Sequence, residues 1–148
     1  MTRNVNSNNI KDQKEILNYR VMIEESICWQ EKDRFFEILD KFLDNRISAN
    51  SFRDEYWNLT SKICEKTERY TNLIESNNIA TNSDLEIYFI PKAIDFSNLI
   101  MLSLFTAVEI YSPEISDTES SSYGYSSNGL KTFIKDEILS YIIEYRNI

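Results

Sequence analysis

No histidine occurs anywhere in this chain. Its absence removes the commonest general base, the Ser-His-Asp and Cys-His arrangements of hydrolases, and the imidazole ligands of zinc and di-iron bundle sites. Glycine and proline are nearly as scarce, with two of each in 148 residues. Turn-rich β architectures call for more of both, and so do loops that cradle phosphates; no P-loop, GxGxxG or GxSxG sequence is found. The two cysteines, Cys28 and Cys64, stand far apart and in no CxxC or zinc-ligand spacing, which reads as two small buried hydrophobes in a reducing compartment. Positive charge is also short: 16 Lys and Arg against 24 Asp and Glu leave a formal net charge of −8. That balance argues against direct binding to nucleic acid, which needs clustered cations on the phosphates, and favours a basic partner. Long apolar runs are missing too. The longest, Leu99 to Val108, is interrupted by Ser103 and Thr106 and falls well short of the ~20 residues of a membrane-spanning helix. The N-terminal stretch to Glu15 has no apolar core of a secretory signal, so a cytoplasmic protein is expected.

What remains is helical in period almost from end to end, and the length suits a single domain. Residues 1–9 are polar and Asn-rich and are expected to be a disordered tail; residues 10–148 are expected to form one helical domain. From Lys11 to Gln30, Ile16, Tyr19, Ile23 and Ile27 follow helical spacing, with Leu17, Val21 and Cys28 beside them. From Glu31 to Asp44 the stripe is Phe35, Ile38, Leu39 and Phe42, widened by Phe36 and Leu43. The two segments read as either two helices or one long helix bent at the polar stretch from Trp29 to Arg34. The clearest boundary follows. Ser48 is placed to cap a helix start, with Ile47 and Phe52 as the two halves of a hydrophobic staple. That helix carries Phe52, Tyr56, Leu59, Ile63 and Tyr70, then Leu73 and Ile74, to about Ser76.

Ser83-Asp84-Leu85-Glu86 matches a capping box for a short helix ahead of Pro91. A nearly all-apolar helix from Lys92 to Tyr111 is expected at the centre of the core, ending before Pro113. Ser112 to Asn128 reads as an exposed Ser-rich loop, and a last helix runs from Gly129 to Tyr145 on Leu130, Phe133, Ile134, Ile138, Tyr141, Ile142 and Tyr145. The expected fold class is all-α, an antiparallel bundle of four to five helices.

Candidate chemistry is sparse. Carboxylate pairs such as Asp117 with Glu119 or Glu65 with Glu68 are what 24 acids produce by chance, and a solvated helix face explains them better than acid–base catalysis. No enzyme activity, cofactor or metal is expected. Trp29 and Trp57 read as core or core edge. One group of acids differs in kind: Glu109, Glu114, Asp117 and Glu119 gather at a helix end and the loop after it, with no Lys or Arg between Lys92 and Lys131. Acids at a helix C-terminus add to the negative end of its dipole and so favour an incoming cation. Tyr111, Tyr123 and Tyr125 flank the same region and supply contact area with a polar tip.

The string Phe42-Leu43, Asp44-Asn45-Arg46, Ile47-Ser48-Ala49, Phe52 and Tyr56-Trp57, followed by Leu104 to Glu114 (LFTAVEIYSPE), resembles the colicin D-type immunity proteins. The resemblance runs from about Lys32 to Tyr145, so that residues 10–30 form an added N-terminal helix and residues 31–148 an immunity-like bundle. Two details depart from that family: Glu109 stands where an Asp is usual, and the turn at Asn45 and Arg46 has no Gly. The resemblance implies a small acidic bundle that binds the basic catalytic domain of a tRNA-cleaving toxin, one to one, and plugs its active site by phosphate mimicry. It marks Glu109, Tyr111 and Glu114 as partner-binding; charge alone adds Asp54, Glu55, Asp117 and Glu119. The alternative is a helical adaptor or assembly protein with no toxin partner, whose binding would depend little on salt.

Overall fold

The computed structural model of the protein describes residues 10–75, 91–117 and 124–148, with side chains described from Arg20 to Asn72 in the first stretch. The expected tail, the capping box at Ser83, and residues Glu119 and Tyr123 lie outside the described residues. Within them the chain is all-α: five helices and no strand. We number them α1 (Ile10–Gln30), α2 (Lys32–Leu43), α3 (Ala49–Glu75), α4 (91–109) and α5 (127–145).

The first two segments are separate helices. Glu31 leaves helical geometry at φ −92° and ψ 9°, and its carbonyl accepts from Arg34 and Phe35 to restart the next helix at once. α2 then buries Phe35, Phe36, Ile38, Leu39 and Phe42 on one side, as the stripe requires. Its end is a Schellman motif: the Arg46 N–H reaches back to the Lys41 carbonyl at 2.8 Å and the Asn45 N–H to Phe42 at 3.1 Å. Asn45 sits at φ 60°, the left-handed position normally given to glycine. Asparagine tolerates that conformation best among the other residues, so the turn closes without a Gly. Three residues on, Ser48 Oγ accepts from the Ser51 N–H at 3.1 Å, and α3 starts at the expected place. Ile47 and Phe52 both join the core.

α2 and α3 run antiparallel: Phe42 stacks on Phe52 at 4.7 Å between centroids, and Glu31 at the far end meets Lys66. α3 and α4 also run antiparallel, with Asn50 beside Tyr111 and Trp57 beside Phe105. Trp29 closes the middle, edge-on to Phe96 of α4 and Tyr145 of α5 at 5.9 and 5.7 Å.

α4 and α5 are not regular α-helices. Each contains a π-helical segment, Leu99–Ser103 in α4 and Ile134–Leu139 in α5. The buried residues explain why. Phe96, Ile100, Leu104 and Val108 in α4, and Leu130, Ile134, Ile138 and Ile142 in α5, recur at every fourth position. In an α-helix such a row drifts by about 40° per step, because four residues exceed the 3.6 of one turn. A wider π turn takes up the excess and holds the row against the core.

Four expectations of burial are corrected. α4 is not buried all round: Ile94, Leu102, Phe105 and Ile110 are exposed. Tyr141, expected in the buried stripe, is 60% exposed, because the π segment shifts it off the row that ends at Ile142 and Tyr145. Val21 is exposed as well, on the outer side of α1, whereas Ile23, Ile27 and Cys28 are buried. Cys64 likewise faces outward and only Cys28 is a core thiol, one whose burial pushes its pKa well above the ordinary range.

Candidate partner-binding surface

α4 ends where Ile110 and Tyr111 donate to the Thr106 and Val108 carbonyls at 3.2 Å each. The chain beyond it is tied down rather than loose. Tyr125 N–H donates to the Ile110 carbonyl at 3.2 Å, Ser112 N–H donates to the Tyr125 carbonyl at 3.0 Å, and Tyr111 and Tyr125 form an isolated parallel bridge. Gly124 makes the approach possible: a Cβ there would stand 2.2 Å from the Ile110 carbonyl oxygen. The described ends of the Ser112–Asn128 segment are therefore fixed to α4 and α5.

The sequence-derived site residues have different places on this frame. Glu109 and Glu114 are exposed at the end of α4, and the Glu114 N–H donates to Ser112 Oγ at 3.3 Å. Asp54 is exposed on the first turns of α3, 3.6 Å from Arg53 Nε. α3 meets the end of α4 through Asn50 and Arg53, so Asp54 shares that end of the bundle with the two glutamates. Tyr111, in contrast, is buried. Its hydroxyl donates to Asn50 Oδ1 at 2.9 Å and its ring lies under the Arg53 guanidinium at 5.7 Å; burial is the main cause that raises its pKa. It joins α4 to α3 and presents little surface to a partner.

Asp117 has a structural task. Its Oδ1 accepts from the Asn128 N–H at 3.0 Å in the first turn of α5, where Ser126 is the N-cap and accepts from the Gly129 N–H. These bonds, from Asn128 first and Ser126 second, hold its carboxyl below the usual range, as a negative charge at a helix N-terminus should be held. Glu55 points elsewhere. One residue along a helix is a turn of about 100°, and it carries Glu55 to the groove between α2 and α3, among Arg34, Lys41 and Lys62. Its Oε2 is shielded from solvent there without a hydrogen-bond partner. Of the seven candidates, then, Glu109, Glu114 and Asp54 are exposed acids at one end of the bundle, Tyr111 and Asp117 hold the frame, Glu55 faces a mixed-charge seam, and Glu119 lies outside the described residues.

One component was missed in the sequence. Phe105, 39% exposed, meets the half-buried Trp57 edge-to-face at 4.8 Å, and Leu102 beside it is 64% exposed. The signal was present: Leu102, Phe105 and Glu109 lie at i, i+3 and i+7, off the four-residue row that faces the core. An aromatic pair bordered by exposed acids is the composition of an interface centre with a charged rim. Arg53 is the cation amid these acids, and it lies over the Tyr111 ring.

Among the described residues, no group of three or more Cys, Asp or Glu side chains is arranged to hold a metal ion, and no helix is long and apolar enough to cross a membrane. No family model, no curated protein and no solved structure matches this chain.

Proposed function

We propose that this protein is an inhibitor of the immunity type, which docks its acidic end on the basic catalytic domain of a tRNA-cleaving toxin and covers the active site. The observation that carries this reading is the Trp57–Phe105 pair with exposed acids one turn away on each helix, Asp54 from Trp57 and Glu109 from Phe105, and exposed Glu114 just beyond the end of α4. The resemblance at Leu104 to Glu114, which marks Glu109 and Glu114 among its positions, points the same way. In this reading the carboxylates stand in for substrate phosphates, charge speeds the encounter, and the aromatic pair supplies the desolvated centre that slows dissociation. Tyr111 and Asp117 act at one remove, by holding α4, the segment after it and the start of α5 in place.

The test is affinity capture from the native source at low salt, followed by a tRNA-cleavage assay of the captured protein. The comparison is Glu109→Lys/Glu114→Lys, which leaves the Asp117 cap intact. A basic nuclease held by the wild type, released by rising salt, inhibited at one-to-one stoichiometry and lost with the variant is the expected result. Capture that is indifferent to salt and to the variant would remove the acidic plug and favour a helical adaptor, for which the exposed Tyr141, Ile143 and Ile148 offer another surface.

A further inference from the structure

A groove of about 400 Å³ lies at the opposite end of the α4–α5 pair, lined by Asp95, Asn98, Leu99, Tyr141, Glu144 and Tyr145. Its volume is that of a small-ligand or side-chain pocket. Asp95 and Glu109 are fourteen positions apart on α4, about 20 Å at 1.5 Å per residue, so the groove is separate from the surface described above. The π segment of α5 opens it. By turning Tyr141 off the buried row, that segment leaves an exposed aromatic wall beside Tyr145, which is itself anchored against Trp29.

Two carboxylates from different helices converge on this spot. Asp95 and Glu144 line the same groove as Tyr145, and the Tyr145 hydroxyl is held above its ordinary pKa by burial first, then by the charges of Glu144 and Asp95, and by its hydrogen bond with Glu144, which leaves that carboxylate further lone pairs for a second donor. No Lys or Arg lines the groove. Two of the cations nearby are otherwise engaged: Arg146 forks onto Asp40 at 2.7 and 2.8 Å with its guanidinium over Phe36, and Lys32 lies over Trp29. Lys92, one turn before Asp95, makes no ion pair among the described residues.

We propose that this groove receives an arginine side chain of a protein partner, with the Asp95 and Glu144 carboxylates accepting from its guanidinium and Tyr141 as the stacking face. Anions are repelled by the paired acids. A hard divalent cation wants more oxygen ligands and has no use for an aromatic wall. Guanidinium is planar and weakly hydrated, stacks on aromatic rings, and directs several N–H donors in one plane, which suits two carboxylates beside a tyrosine. The inference does not rest on the nuclease reading, because any partner with an accessible arginine meets the same chemistry.

The probe is N-acetyl-argininamide, titrated into the isotope-labelled full chain and followed by amide chemical shifts, with neutral N-acetyl-citrullinamide as the isosteric control. Shifts should concentrate at Asp95, Asn98, Tyr141 and Glu144, and the citrulline analogue should bind about tenfold more weakly or worse. Asp95→Asn/Glu144→Gln should lose the response while keeping its circular dichroism spectrum. Tyr141→Ala, which removes only an exposed side chain, should weaken it and serves where the double variant does not fold. Equal response to both ligands, shifts of the same size at Glu109 and Glu114, or unchanged binding in Tyr141→Ala and the double variant would overturn the proposal.

Discussion

Tyr56 places its ring in the core beside Phe35 and Phe52 and its hydroxyl on the backbone of another helix. The hydroxyl donates to the Ile100 carbonyl at 2.6 Å, inside the π segment of α4, where the Leu104 N–H has moved on to Leu99. A Tyr56→Phe variant keeps the packing and removes one buried donor. It should lose about 1–2 kcal/mol in urea unfolding with an unchanged m-value, and a loss near zero would mean that the carbonyl is satisfied otherwise. Individual residues differ in how far sequence reveals them. Ser48 was legible because its cap closes on Ser51, three positions away, and the side chain and the backbone it serves are read together. Asp117 was not, since the N–H that it accepts belongs to Asn128, eleven positions on, and a lone acid in a loop looks the same whether it caps a helix or meets a partner.

At the scale of the element, local periodicity reveals the helices more readily than their irregularities. A regular 3.6-residue period puts Tyr141 inside, whereas the four-residue rows of α4 and α5 go with π turns, and Tyr141 is exposed. The period of the buried row, and not helix propensity, carries the information about a π turn. The segment after α4 gives a direct test of how its ends are fixed. Gly124→Ala would push a methyl group into the Ile110 carbonyl, so the Tyr111–Tyr125 bridge must open. The expected result is faster amide exchange at Ser112 and Tyr125 and a destabilisation of about 1–3 kcal/mol. Unchanged exchange at both amides would show that the segment can shift without losing its bonds.

For the molecule as a whole, the C-terminus is clamped to α2 by the Asp40–Arg146 fork, two parallel bonds on side chains that are each about one-third exposed. The hydrogen bond from Arg146 is the leading cause that lowers the Asp40 pKa from 3.8, and the neighbouring positive charges act in the same sense. A carboxyl whose folded pKa is depressed contributes its full stability above the unfolded value and loses it as pH falls through the folded one. Stability should therefore decline on the acid side of the ordinary carboxylate range, with Asp117 acting in the same direction. Asp40→Asn should be less stable than the wild type at neutral pH and approach it as the pH drops from about 5 to 2 in thermal melts. A constant gap between the two would mean that the fork does not respond to protonation. The all-α class, the Ser48 boundary and most of the core follow from local periodicity and capping, because those signals depend only on neighbours within a few positions. Which acids share a surface, that Tyr111 and Asp117 serve the frame, that Glu55 faces cations, and that Asp95 meets Glu144 beside two tyrosines depend on residues brought together from distant parts of the chain. Packing decides such meetings, and helical spacing within one segment carries no record of them.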